Sequence, residues 1–83
     1  MGEAFWYVYM LQSLADGERY YVGLTQNLHI RLDQHNAGVV PHTSKFRPWR
    51  IETAVAFRSK EKAVAFEHYL KSHSGRAFST RHF

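Results

Sequence analysis

A carboxylate on the apolar stripe of a helix needs something to hold it there, and Glu67 occupies such a place. Residues 60–72 carry Ala63, Phe66 and Leu70 at helical spacing, and Glu67 falls four after Ala63 and three before Leu70. A buried, unpaired carboxylate is unfavourable, so it needs a cation, a hydrogen-bond partner or a raised pKa. Lys71, four residues on, offers the plain reading of a helix-edge ion pair. A metal ion offers the other. The remaining acids (Glu3, Asp16, Glu18, Asp33, Glu52 and Glu61) sit at turns, ends or polar faces. With no second acid near Glu67 in sequence, a carboxylate cluster holding two metals is excluded. One Mg²⁺ on one carboxylate, completed by waters and a phosphate, remains open.

Arg31 and His35 are separated by four, which stacks them on one side of a helix beside the apolar pair Leu28 and Leu32. Two aromatic triplets precede them, Tyr7-Val8-Tyr9 and Tyr21-Val22-Gly23. The six histidines raise zinc as a possibility. Yet His68 and His73 stand five apart, not at the spacing of a helical ligand pair, and the chain has no cysteine. Structural zinc is therefore not expected, and His42, His68, His73 and His82 read as surface residues. A glycine-rich phosphate loop and a nucleophilic serine elbow are both missing from the sequence.

The elements that must position these side chains follow from local pattern. Residues 5–11 and 19–25 are rich in aromatic and β-branched side chains that suit a pleated surface. Asp16-Gly17 between them is a strong turn signal. The expected unit is an antiparallel hairpin with its loop at residues 14–18. In that register Tyr9 lies opposite Gly23, and Tyr7, Tyr9 and Tyr21 share one face. A slip of one residue would break the grouping. Thr25 or Asn27 caps the helix that carries Arg31 and His35, and Gly38 suits the left-handed position after it. Residues 39–49, with two prolines and no period, read as an exposed loop whose hydroxyls and cations can meet phosphates. Residues 51–57 alternate as a third strand, placing Ile51, Thr53, Val55 and Phe57 on one face. Ser59 caps a second helix without a full capping box, because Lys62 stands three residues on. Gly75 ends that helix, and residues 76–83 are expected to form a final short one. The fold class is α/β of the α+β kind, a small three-stranded antiparallel sheet flanked by helices in the order β-β-α-β-α-(α).

At 83 residues the chain is expected to form one domain, residues 1–83, with no disulfide and no cysteine nucleophile. Its longest apolar run near the N-terminus, residues 4–11, is too short to cross a bilayer, so the expectation is a soluble, cytoplasmic protein with no membrane association. Eleven Lys and Arg against seven Asp and Glu give a net charge of +4, which fits a polyanionic partner but is shared by many ordinary small domains.

Taken in order, the residues resemble the GIY-YIG nuclease domain. The series is Tyr7-Val8-Tyr9, eleven residues, Tyr21-Val22-Gly23, Arg31, His35 and Glu67. Further matching stretches are Arg-Leu-x-x-His-Asn-x-Gly from Arg31, Thr-Ser-Lys and Arg-Pro-Trp between Thr43 and Trp49, and Glu-His-Tyr-Leu-Lys-Ser from Glu67. The likeness runs along essentially the whole chain and is nearest to small stand-alone bacterial members. The first triplet departs from the pattern at Tyr7, where Gly is usual, and a late asparagine of some longer members has no clear counterpart.

The resemblance implies a metal-dependent phosphodiesterase. Glu67 would hold a single divalent ion, Mg²⁺ or Mn²⁺, with no small-molecule cofactor. Arg31 would stabilise charge on the scissile phosphate. Tyr21 would be the general base or would orient the attacking water, with Tyr9 beside it. A free tyrosine titrates near pH 10, so this role needs cationic neighbours or a share of the work by metal-bound hydroxide. His35 is a second candidate base, since imidazole titrates near neutrality. Thr43 and Lys45 would contact the phosphate backbone, with Arg47, Lys71 and Arg76 among the further cations for DNA.

Three readings compete: a nuclease that hydrolyses DNA to a 5′-phosphate and a 3′-hydroxyl, a nucleic-acid-binding module without catalysis, and a structural or docking domain. The presence of Tyr9, Tyr21, Arg31, His35 and Glu67 together favours the first. A chain of this length has no room for a separate recognition domain, so substrate choice should rest on shape or strandedness, single-stranded or branched, in DNA processing or repair. The sequence does not give the oligomeric state.

Overall fold

The computed structural model of the protein describes residues 4–72. Its central strand, β1 (Trp6–Ser13), pairs antiparallel with β2 (Tyr20–Thr25) on one edge and with β3 (Trp49–Phe57) on the other. The hairpin forms in the expected register, with Tyr9 opposite Gly23 and Leu11 opposite Tyr21. β1 runs two residues further than its apolar pattern, to Ser13, because this polar residue closes the hairpin neck. Its backbone N–H donates to the Arg19 carbonyl at 3.0 Å, and its hydroxyl accepts from the Ala15 and Asp16 N–H groups.

Helix α1 (Leu28–Ala37) begins where the Asn27 side chain accepts the N–H of Ile30, and it stops at Gly38, whose φ of 83° is left-handed. Helix α2 (Lys60–Lys71) is capped by the Ser59 hydroxyl, which accepts from the Lys62 N–H at 3.2 Å. Each helix covers one face of the sheet. Ala63, Phe66 and Leu70 of α2 pack with Val8, Val22, Leu24 and Phe57. Leu28 and Leu32 of α1 pack with Tyr9, Leu11, Tyr21 and Trp49. The alternation of Val8 and Tyr9 along β1 puts these clusters on opposite faces. Among the described residues the architecture is thus a three-stranded antiparallel sheet between two helices, in the order β-β-α-β-α. None of these helices is long and apolar enough to cross a membrane.

Two expectations change. The run 51–57 does not keep one face. Met10 pairs with Thr53 but Leu11 pairs with Ile51, so Glu52 is an extra residue that reverses the alternation. Thr53, Val55 and Phe57 therefore stay opposite Met10, Val8 and Trp6, whereas Ile51 and Trp49 cross to the Tyr9 side. The connection at 39–49 is also not a purely exposed loop. It contains a 3₁₀ turn, Ser44–Phe46, and Val40, Thr43 and Trp49 are buried. The expected final helix at 76–83 lies outside the described residues.

Candidate active site

Gly23 makes the site possible by what it lacks. A Cβ at this position would collide with the ring and hydroxyl of Tyr9, so the bare backbone lets Tyr9 lie flat across its partner strand. The Tyr9 hydroxyl thereby meets α1, where Arg31 and His35 stand one turn apart. Tyr9 Oη and His35 Nε2 are hydrogen-bonded at 2.9 Å, and Arg31 Nε donates to Tyr9 Oη at a longer 3.4 Å. Arg31 Nη1 donates to Gln34 Oε1 at 2.8 Å, which fixes one edge of the guanidinium. On its other side His35 is joined through Nδ1 to Thr43 Oγ1 at 2.8 Å. Gln34, Arg31, Tyr9, His35 and Thr43 form one continuous polar chain beneath the sheet face.

Burial sets the electrostatics of this chain. Tyr9 is 2% exposed and His35 0%. Desolvation raises the Tyr9 pKa above 10.0, against the Arg31 hydrogen bond and charge, while Tyr21 and Glu67 add to the rise. Desolvation, followed by the nearby Arg31 charge, lowers His35 below the ordinary imidazole value. The expectation of a His35 titrating near neutrality is therefore corrected to a lower value. His35 is enclosed and has both ring nitrogens engaged. Tyr21 is different. Its ring packs 5.0 Å from that of His35 and 6.5 Å from that of Tyr9, and the side chain is only half buried. Among the described residues its hydroxyl carries no hydrogen bond.

Glu67 reaches the same region from the other helix. Its side chain is 15% exposed, and Lys71 Nζ lies 3.0 Å from its Oε2. The helix-edge ion pair open to Glu67 is thus present, on a carboxylate that is largely buried. The Lys71 ammonium also sits 6.0 Å from the centre of the Tyr21 ring, which joins this end of α2 to the tyrosines. No three His, Asp or Glu side chains come together as a metal-binding group among the described residues. A metal needing three or four protein donors therefore does not fit. A hard ion that keeps its waters and takes one carboxylate does fit Glu67.

Of the expected phosphate contacts, Lys45, Arg47 and Lys71 are exposed. Arg47 lays its guanidinium over Gly38, where a Cβ would stand. Thr43 is not on the surface. It is 1% exposed, and its hydroxyl is used on His35 and on the Val40 carbonyl. Arg76 lies outside the described residues.

The family model for the GIY-YIG catalytic domain matches residues 5–81 of the chain. The chain belongs to the GIY-YIG family. Among curated relatives, the structure-specific endonuclease subunit SLX1 of Debaryomyces hansenii is 39% identical over 85 residues, which cover 94% of this chain and 23% of that protein. The SLX1 subunit of Scheffersomyces stipitis is 42% identical over 72 residues, 78% of this chain and 21% of its own length. The UPF0213 protein Reut_B5558 of Cupriavidus pinatubonensis is 36% identical over 63 residues, 75% of this chain and 68% of that protein. The chain thus spans less than a quarter of the length of the endonuclease subunits.

Within this GIY-YIG domain, three residues have supporting roles that the sequence did not assign. Asn36 clamps β3 to α1: its Oδ1 accepts the Trp49 N–H at 2.6 Å, and its Nδ2 donates to the Trp49 carbonyl at 3.0 Å. Trp49 Nε1 donates to the Thr43 carbonyl at 2.9 Å, which seats Thr43 beneath His35. Gln34 orients Arg31. Their signal was an amide on the site-facing side of a helix and a tryptophan beside a proline. Neither is distinctive without the fold.

Proposed function

We propose that the chain is a divalent-metal-dependent endonuclease that hydrolyses phosphodiester bonds in DNA. The observation that carries this reading is the gathering of Tyr9, Tyr21, Arg31 and Glu67 from four elements, β1, β2, α1 and α2, around the hairpin, in a chain of the GIY-YIG family. Glu67 holds the ion, Mg²⁺ or Mn²⁺, which when bound neutralises charge on the phosphate and on the leaving oxygen. Lys71 gives up its ion pair to Glu67 and turns to a phosphate oxygen. Arg31, braced by Gln34, offers its free guanidinium edge to the phosphate as negative charge develops there. Tyr21 takes the proton of the attacking water or orients that water. Its unengaged hydroxyl supports this role, whereas the Tyr9 hydroxyl and the His35 Nε2 are committed to each other. The water oxygen bonds to phosphorus as the P–O3′ bond breaks, leaving a 5′-phosphate and a 3′-hydroxyl. Lys45 and Arg47 hold the backbone to either side, so binding follows strand shape more than base identity. A structure-specific choice, single-stranded or branched, in DNA processing or repair is part of the same reading. It is supported by the SLX1 relatives, which are named structure-specific endonuclease subunits.

The test is cleavage of labelled single-stranded, duplex, flap and RNA substrates with Mg²⁺, Mn²⁺ or EDTA, using wild type and Glu67→Ala. Metal-dependent cutting of DNA, abolished in a folded Glu67→Ala protein, is the expected result. Full activity of that variant would remove Glu67 from the site. Salt-sensitive binding without cleavage by wild type would leave a binding module instead.

A further inference from the structure

Proton counting along the buried chain fixes its direction. The Tyr9 hydroxyl has one hydrogen to give and is met by two nitrogens, Arg31 Nε and His35 Nε2. Arginine is a donor without acceptor capacity. Were His35 protonated on Nε2, Tyr9 Oη would face two donors, and its own proton would find no acceptor among the described residues. Buried polar groups are rarely left in that condition, and no buried side-chain nitrogen or oxygen is left unpartnered among the described residues. Tyr9 therefore donates to a bare Nε2, and His35 carries its hydrogen on Nδ1. Nδ1–H donates to Thr43 Oγ1 at 2.8 Å, and the Thr43 hydroxyl donates onward to the Val40 carbonyl at 3.3 Å.

We propose that Thr43 is a positioning residue for the cleavage reaction: by accepting from Nδ1 it sets the His35 tautomer. That tautomer in turn fixes which way Tyr9 Oη points its hydrogen and its lone pair. The hydrogen goes inward to Nε2, so the lone pair faces Arg31 and holds the guanidinium at the mouth of the site. Without an acceptor at Nδ1 the other tautomer becomes competitive. Nε2–H then donates to Tyr9, the tyrosine proton turns outward toward Arg31, and two positive hydrogens meet. Arg31 loses its seat although it has not been altered. A residue read from sequence as a phosphate contact thus acts three hydrogen bonds behind Arg31.

This proposal rests on the nuclease reading for its activity readout but not for its structural one. The structural readout is the ¹⁵N NMR spectrum of the His35 ring in the full chain. The wild type should show protonated Nδ1 and bare Nε2. Thr43→Val, similar in shape but without the hydroxyl, should shift His35 toward the Nε2–H form, and Thr43→Ser should keep the wild-type pattern. For cleavage of labelled DNA, Thr43→Val should lose roughly 10- to 100-fold in kcat with KM nearly unchanged, the range usual for a supporting hydrogen-bond partner. Thr43→Ser should stay near wild type. A wild-type protein protonated on Nε2 would overturn the proposal, as would a Thr43→Val protein with altered tautomer and unaltered kcat. Loss of kcat with the tautomer unchanged would also overturn it, by showing that Thr43 acts through something else. If Thr43→Val fails to fold, the wild-type and Thr43→Ser spectra still decide the direction of the chain. If wild type cuts nothing while the tautomer follows Thr43, the hydrogen-bond chain stands and the nuclease reading falls.

Discussion

Tyr9 and Tyr21 are the same side chain put to different uses by what surrounds each hydroxyl. Tyr9 is walled in against His35 and Arg31, whereas Tyr21 lies against the same imidazole with its ring and leaves its oxygen clear. Tyr21→Phe keeps the ring contacts, so stability should hardly change. Removing a general base or orienting group typically costs 10²- to 10⁴-fold in rate, and a loss of that size in kcat, with binding nearly unaltered, is expected in single-turnover cleavage. Wild-type cleavage by Tyr21→Phe would make it a packing residue. His35 yields a second prediction, about acid. Its folded pKa lies below the ordinary 6.5 because of burial and Arg31. The unfolded chain therefore takes up the proton first. The contribution of His35 to stability is complete above pH 6.5 and is lost as pH falls below it, by at most about 1.4 kcal/mol per unit. Tyr9 has the opposite sign. Its pKa is raised above 10.0, so its contribution holds below pH 10 and is lost beyond. Urea unfolding between pH 7.5 and 5.5 should show a steeper decline for wild type than for His35→Asn, and equal slopes would refute the assignment.

The hairpin shows at the scale of an element how a missing side chain acts. Gly23→Ala drives a methyl group into the Tyr9 ring. Overpacking of this kind costs about 1–3 kcal/mol, and because Tyr9 must move, cleavage should fall with stability. A variant as stable and active as wild type would mean that Tyr9 does not depend on the gap. The hairpin register, both N-caps, Gly38 and the Arg31–His35 pair were legible because each is a local pattern: a turn, a cap, a helical spacing. Thr43 was not, since nothing local says that a hydroxyl in a proline-bearing loop turns inward. Trp49, clamped by Asn36, bonds the Thr43 carbonyl, and that meeting exists only once the sheet does. The bulge at Glu52 was hidden for a related reason. A strictly alternating sequence looks like one face, and only the pairing with β1 shows that it changes sides. Glu67 was legible as an anomaly, though pattern alone could not choose between Lys71 and a metal, and the structure shows the ion pair with Lys71.

For the whole molecule, the +4 charge is distributed rather than concentrated. Lys45 and Arg47 stand on the connection, Arg50 on β3 beside Gln12 and Glu52, and Lys71 at the end of α2. If about three to five phosphates are neutralised, log K for a single strand should fall with log salt at a slope of roughly −2 to −4. Titration of a fluorescent oligonucleotide at several salt concentrations measures it. A flat response, or tight binding confined to one sequence, would contradict the reading.

The two layers also give the proposed activity an internal division of labour. Tyr9, Arg31, His35 and Thr43 are assembled by the sheet, α1 and the connection, while Glu67 and Lys71 arrive on α2, docked against the opposite face. On the proposed reading, cleavage would persist only as long as one helix stays seated. A substitution at Ala63 or Leu70 that loosened α2 would masquerade as a defect in metal affinity, with every candidate ligand and every member of the polar chain still in place.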